Sequence, residues 1–591
     1  MKDLKDLKDS NIQYSVTSMA ILIISVVFQL SLIPCELQAQ DNESSDEWRQ
    51  WGGPHRNFSL EVTGLADNWP ENGPRELWSR PLGPGQSAII VDEGRLFTMY
   101  RHGNGRTKNG PWDENETIIA MNSSTGETLW EHSYSSPQGD IDFSFGAGPH
   151  STPLLIEDRL FTIGTSKQLY ALDKRSGAVL WSHNLVEEFG APPLSIRARV
   201  KAGYGYSPIA YRNTIIVAVG GPGQSLIAFR QNDGSVAWKN GDYLTSDSSP
   251  ILITVDGQEQ LIFFASQAIH GLDPASGRVL WSQVHDPGND LNLSTPLWGD
   301  DRILFFSSAY NAGSRAVKLD RNSGKTNVKE LWANPKLRFM FSNGIRIDDH
   351  IYGTSGEFGP AFMTATDVRT GEVSWQKRGF GRSSLLYADN KVIVLDEDGD
   401  LALTRLTPDG MTVLAESSLF ETTAWTVPTL VGTTLYARDR EKIVALDMGK
   451  TTRPDFSGTW RLDTKQSQIN VPLLRGGGDG GPADTLHITQ TANETLVVGN
   501  ELPYEYHAWI YKIGDESTIP VGPRDTLMMT TRWEDDQLVS EGLREPEANK
   551  SIIGAKETYS LSKDGQTLTI TVTIQTQHDT VTNNLVFKKI N

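Results

Sequence analysis

Along most of this chain, apolar and polar residues alternate in short runs rather than falling into helical stripes. One phrase recurs: a short apolar run, a polar turn closing on glycine, then a second run that often ends in tryptophan. It reads IIAMNSSTGETLW at 118–130, LYALDKRSGAVLW at 169–181, LIAFRQNDGSVAW at 226–238 and IHGLDPASGRVLW at 269–281. Looser versions follow at 316–332, 363–375, 401–415 and 443–449. Alternation such as Leu169, Ala171, Asp173 buries one face of a strand and wets the other. Asp173, Asp273, Asp320 and Asp367 are placed to accept backbone amides in the turn, and the glycine four residues on takes the positive φ that ends it. The eight turn glycines, Gly126 to Gly449, return about every 46 residues, a spacing that predicts four-stranded blades arranged in a ring.

A second register agrees. A small hydroxyl residue, often followed by proline, opens each expected innermost strand: GQSA (85–88), HSTP (150–153), YSP (206–208), SSP (248–250), STP (294–296), FSN (341–343), RSS (382–384) and WTVP (425–428). The last glycine lacks a following tryptophan strand, while Glu76-Leu77-Trp78 stands unused ahead of the first blade. Residues 76–82 are therefore expected to supply the missing outer strand and remove the ring's sheet edges. Trp130, Trp181, Trp238, Trp281, Trp332 and Trp375 end outgoing strands and are read as packing between neighbouring blades.

Beyond residue 450 the period stops. After a linker at 451–454, residues 455–591 offer nine or ten strand candidates and no helix, which suits an up-and-down barrel or a small sandwich. Gly458-Thr459-Trp460 resembles the G-x-W opening of lipocalins. The expected fold class is thus all-β: an eight-bladed propeller at 76–450, then a small lipocalin-like barrel at 455–591. The glycine-rich run 475–482 lacks the Lys-Ser/Thr of a phosphate loop and reads as a plain loop.

At the other end, Met19–Ile33 is apolar but for Ser25, Gln29 and Ser31, short for a spanning helix and suited to a signal segment. Cleavage after Ala39 makes residues 1–39 a signal peptide and 40–75 a lead-in. Leu32-Ile33-Pro34-Cys35 resembles a lipobox, with Cys35 lipidated, and an uncleaved anchor is a third alternative. All three mean export, to the periplasm, the outer membrane or the medium, with membrane contact only through this segment.

Composition narrows the partners. With 54 basic and 73 acidic residues the net charge is −19, which repels a phosphate backbone and excludes nucleic acid. A lone cysteine excludes an internal disulfide, multi-cysteine zinc sites and a CxxCH haem attachment.

The repeated ALD-xx-(S/T)G-xx-LW phrase, spanning about residues 48–449, resembles the PQQ-like repeats of the quinoprotein alcohol dehydrogenase-like superfamily. The opening Trp48-Arg49-Gln50-Trp51-Gly52-Gly53-Pro54 resembles the WxxWGGP of exported bacterial members. The resemblance implies a propeller and leaves two kinds of function. Enzymes of the superfamily hold PQQ and Ca²⁺ in the funnel with Glu, Asn and Asp and use an Asp base; others are scaffolds, such as the propeller lipoprotein of the outer-membrane assembly machine. Asp247, Asn292, Asn343 and Glu357 are funnel candidates, yet none stands in a dehydrogenase motif.

His150 and His270 fall in different blades without HxH or HExxH spacing, and Ser151 and Ser207 stand outside G-x-S-x-G. No catalytic or metal set is assigned. Arg382 and Trp425 are bulky beside an otherwise small rim position, so they are expected to face the funnel mouth, where guanidinium and indole suit a carboxylate, a sugar or a peptide. The ligand-binding rim is read as His150, Ser151, Tyr206, Asp247, Asn343, Arg382 and Trp425. The expected function is an exported, non-catalytic module binding protein or glycan without a cofactor. A PQQ- and calcium-dependent oxidoreductase and an outer-membrane assembly scaffold are the alternatives.

Overall fold

The computed structural model describes residues 47–69, 73–102, 114–139, 141–143, 146–192, 203–340, 343–357, 359–450, 454–470, 483–491, 495–501, 506–522, 525–534, 536–546, 551–562 and 564–590. The signal segment, Cys35 and the glycine run 475–482 lie outside these. The chain divides into two units, one ending at Lys450 and one starting at Thr451.

The first unit is an eight-bladed propeller, each blade a four-stranded antiparallel sheet. The innermost strands, taken in order as blades one to eight, are Ile90–Asp92, Leu154–Ile156, Ile209–Tyr211, Ile251–Val255, Leu297–Trp298, Ile345–Ile347, Ser383–Ala388 and Thr429–Val431. The repeated phrase is the outer hairpin. In blade two Asp173 accepts the amides of Arg175 and Ser176, and Gly177 donates to the Asp173 carbonyl at φ +70°. A Cβ on Gly177 would also lie 2.5 Å from the Trp130 ring, so the glycine is required by its neighbour as well as by its turn. Trp130 closes the contact by donating its indole N–H to the Lys174 carbonyl of the next blade at 3.0 Å.

Trp78, Trp181, Trp238, Trp332 and Trp375 do the same, each donating to a carbonyl one blade on. Trp281 departs from the pattern: its indole bonds Gln260 of its own blade at 2.7 Å, and Gly324 has nothing within 4 Å of a notional Cβ. That is where the repeat phrase lengthens, and the longer hairpin moves the turn out of the tryptophan's reach.

Blade eight takes its outer strand from the start of the chain. Arg75–Pro81 pairs antiparallel with Lys442–Asp447, in register from Arg75↔Asp447 to Pro81↔Lys442. The hydroxyl register has an equally mechanical purpose. The amides of Ala88, Thr152 and Ser207 donate to the hydroxyls of Thr152, Ser207 and Ser249 in the following blade, at 3.1, 3.0 and 3.2 Å. Ser248 continues to the Ser294 carbonyl and Ser294 to the Phe339 carbonyl, and the Asn343 amide clasps both backbone groups of Leu385. Thr429 donates to the Ile89 carbonyl, returning the belt from blade eight to blade one. These buried backbone groups have no ladder partner on the axial side, so the hydroxyls satisfy them.

The lead-in is more than a connector. Trp48 bridges Val91 of blade one, the Arg49 carbonyl accepts from Leu155 of blade two, and Trp51 donates to Thr295 of blade five at 2.9 Å. Ser59–Leu60 then adds a parallel strand to Tyr387–Ala388 of blade seven. The segment crosses the ring against several of its blades, and Trp48 and Phe58 are buried there.

The second unit is a meander of ten strands, Gly458–Leu462 through Thr580–Ile590, two more than close a lipocalin. First and last strands pair, Thr459↔Ile590 to Leu462↔Phe587. The barrel is nearly closed: among the described residues no ladder joins the fourth strand, Tyr506–Lys512, to the fifth, Glu516–Gly522. Its interior is apolar around Phe456, Trp460, Leu496, Ile519 and Phe587. One inward level is largely polar: the strand register carries it through Thr531, Ser540 and Glu557 and, past Val572, to Asn583. Glu557 accepts from the Tyr511 hydroxyl, which itself accepts from Trp509 at 2.9 Å.

Candidate functional site

The belt aligns the blades residue by residue, and the alignment defines the mouth. The position just before the belt is Gln86, His150, Gly205, Asp247, Leu293, Arg382 and Trp425, and each is half-buried. Its equivalent in blade six, Phe341, lies outside the described residues. The next position, Ser87, Ser151, Tyr206, Ser248, Ser294, Ser383 and Thr426, is buried throughout. These positions precede the innermost strand of every blade described, so they mark one mouth of the ring.

Four of the seven rim candidates, His150, Asp247, Arg382 and Trp425, therefore stand at the mouth. Ser151, Tyr206 and Asn343 lie beneath it, at 0, 0 and 4% exposure, because the chain turns them in between blades at the belt. Asn292 is buried too, donating to the Ala265 and Ser266 carbonyls. His270 sits in the blade body, where its ring bonds Ser282.

Arg382 and Trp425 meet through a residue the repeats did not mark. Glu397, in the loop after the second strand of blade seven, accepts from Arg382 Nε and Nη2 at 2.9 and 2.6 Å and from the Trp425 indole at 3.1 Å. Burial pushes its carboxyl up, but the Arg382 and Trp425 hydrogen bonds outweigh this and hold it below the usual carboxylate range. Arg382 Nη1 also donates to the Glu357 carbonyl at 2.6 Å, and the Glu357 carboxylate is held by Arg338 at 3.0 Å and by the Tyr310 amide at 2.7 Å. On the far side the Arg440 guanidinium lies 5.1 Å over the Trp425 ring. One sector of the mouth, blades six to eight, is thus a cross-braced rim of alternating charge.

Next to it, His150 is pushed down to about 4 by burial and by the neighbouring Arg101 and Arg440 charges, so it is neutral at pH 7. Arg101 ends the second strand of blade one and is buried against Glu116 at 2.8 Å. The sequence signal for Arg101 was a charge ending an otherwise apolar strand; Glu397 and Arg440 sit in loops that do not repeat and had none.

A quinone held by calcium needs carboxylates converging on one cation. Here Glu357 and Glu397 are each engaged by a guanidinium, and Asp247 accepts the Gly205 amide at 3.1 Å in another sector. Among the described residues no three His, Cys, Asp or Glu side chains are grouped to hold a metal.

Residues 114–377 match the family model described as Outer membrane protein assembly factor BamB. That stretch runs from blade one to blade six of the ring and is a little under half of the chain. The protein of that name from Aliivibrio fischeri is 33% identical over 100 residues, 17% of this chain and 23% of that one. The one from Vibrio cholerae is 31% identical over 67 residues, 11% and 17% of the two chains. The matched stretch thus spans less than a quarter of those relatives. Among solved structures, BamB from Moraxella catarrhalis aligns at 16% identity and TM-score 0.43, covering 64% of this chain and all of that one. Quinohemoprotein alcohol dehydrogenase from Comamonas testosteroni aligns at 12% and 0.46, covering 73% and 83%.

The PQQ-like propeller carries two further buried histidines with a measurable consequence. Burial lowers His270 to about 4 and His285 to about 3. An unfolded histidine titrates near 6.5. Below that pH the unfolded chain binds protons that the folded ring refuses, so stability present at pH 7 is lost as pH falls toward 4. Urea midpoints by tryptophan fluorescence should drop between pH 7 and pH 5, and His285→Asn should be weaker at pH 7 yet show a smaller drop.

Proposed function

We propose that this PQQ-like propeller is a non-catalytic scaffold of the cell envelope, binding a protein partner at its mouth, with outer-membrane assembly as the setting. The observation that carries the reading is the braced rim itself. Arg382, Glu397, Trp425 and Arg440 hold one another in place, leaving an aromatic ring and charged edges fixed for contact rather than poised for proton transfer. Aromatic and arginine side chains held rigid in this way are the residues that anchor protein interfaces. The match of residues 114–377 to the assembly-factor model supports a protein partner over a glycan.

The test uses the full chain. Envelope proteins crosslinked to it should include an outer-membrane β-barrel assembly component, and Arg382→Glu and Trp425→Ala should each reduce that crosslink at least tenfold while the circular dichroism spectrum stays unchanged. Saturable binding of PQQ with Ca²⁺, followed by alcohol-dependent dye reduction, would overturn the proposal.

A further inference from the structure

Arg56, in the lead-in that crosses the ring, is 5% exposed. Its Nη1 donates to the Pro208 carbonyl of blade three at 3.1 Å and to Gln50 at 3.2 Å, which places the guanidinium against the innermost strands. Its Nε and Nη2 have no hydrogen-bond partner. Among the described residues no carboxylate acts on it, and the titratable group that does is Tyr206, itself fully buried with an unpartnered hydroxyl.

That is unusual within this ring. The buried cations Arg101, Lys174 and Lys391 face Glu116, Asp92 and Asp389 respectively. Arg438, equally buried, gives its terminal nitrogens to three acceptors and has Asp439 beside it. A guanidinium does not shed its proton at physiological pH, and a buried charge without a counter-charge is costly. Two guanidinium nitrogens, Nε and Nη2, and a phenol, all unmatched, around one positive charge make a donor set for an anion.

We infer that Arg56 and Tyr206 form a binding site for a small monovalent anion, a halide by donor count and charge, on the axis of the propeller. The anion neutralises the guanidinium and ties the lead-in to blade three. With a net charge of −19 the whole-chain field disfavours anions, so selectivity for this spot comes from the desolvated guanidinium and the Tyr206 hydroxyl. The inference is independent of the partner proposed for the mouth.

Bromide is the probe. Crystals of the full chain grown in sodium bromide should show an anomalous peak within hydrogen-bonding distance of Arg56 Nε or Nη2. In solution, sodium bromide should raise the thermal midpoint saturably relative to sodium gluconate at equal ionic strength, and Arg56→Gln and Tyr206→Phe should abolish or weaken that difference. If Arg56→Gln does not fold, the wild-type anomalous map and Tyr206→Phe still decide. Density for water only, with no anomalous signal at the guanidinium and equal midpoints in the two salts, overturns the site.

Discussion

Replacing Arg101 with methionine is expected to lower the stability of the propeller by about 3–5 kcal/mol, the usual cost of removing one partner from a buried ion pair. Glu116, at 0% exposure, would keep its charge among the Tyr134 hydroxyl and the Thr165 backbone and hydroxyl donors while losing its cation. The substitution also orphans the Ala147 and Ser136 carbonyls, which Arg101 Nε and Nη1 now satisfy at 3.1 and 2.8 Å. Urea denaturation followed by fluorescence measures the loss. The companion double variant Arg101→Met, Glu116→Gln should be less destabilised than the sum of the singles, because the stranded charge is gone. A single-variant loss below about 1 kcal/mol would mean that the pair is solvated in solution and that blade one does not depend on it.

The largest effect is expected from the ends of the ring. A chain beginning at Gly73 lacks the segment that crosses the axis but keeps the Arg75–Pro81 strand, and it should fold with reduced stability. A chain beginning at Gly83 lacks that strand as well. It leaves blade eight with three strands, strips the edge backbone of Lys442–Asp447, and uncovers the Tyr436 ring against which Trp78 packs at 6.2 Å. The shortened blade eight then ends on the unpaired edge of Lys442–Asp447, and such an edge seeks other edges. Gel filtration should show the first chain as a defined species and the second as aggregate; a folded, soluble second chain would show that closure is dispensable.

How far the sequence carried the fold depends on repetition. The turn glycines, the inter-blade tryptophans and the strand from the chain's start were legible because each is a term in a series, and a series exposes its own missing member. The hydroxyl register was legible as a count, but its purpose was not. Thr152 and Ser207 read in sequence only as residues that open strands, whereas in space they are hydrogen-bond acceptors for the preceding blade. The mouth was half legible. Arg382 and Trp425 stood out by bulk at a position where most blades carry something smaller, but nothing in one blade's phrase announces that Glu397, contributed by a different loop, holds both. Arg56 was illegible, since the lead-in is unique in the chain and its contacts reach residues more than a hundred positions away. In the second unit, alternation gave the strands and the meander; whether they close was a matter of register, which is set by pairing across strands rather than along one.

The strand that completes blade eight has a consequence for timing. Arg75 bonds Asp447 across 372 positions, whereas the four antiparallel strands of each other blade lie close together in the chain. On a growing chain, blades one to seven can form in the order they emerge, each resting on the one before. The Arg75–Pro81 strand must wait, unpaired, until Lys442–Asp447 arrives. Because the entropy of closing a loop grows only with the logarithm of its length, the delay costs little in stability and falls almost entirely on rate. The ring therefore sets as a single late event, and a chain that stops short of residue 447 cannot pass for a finished one.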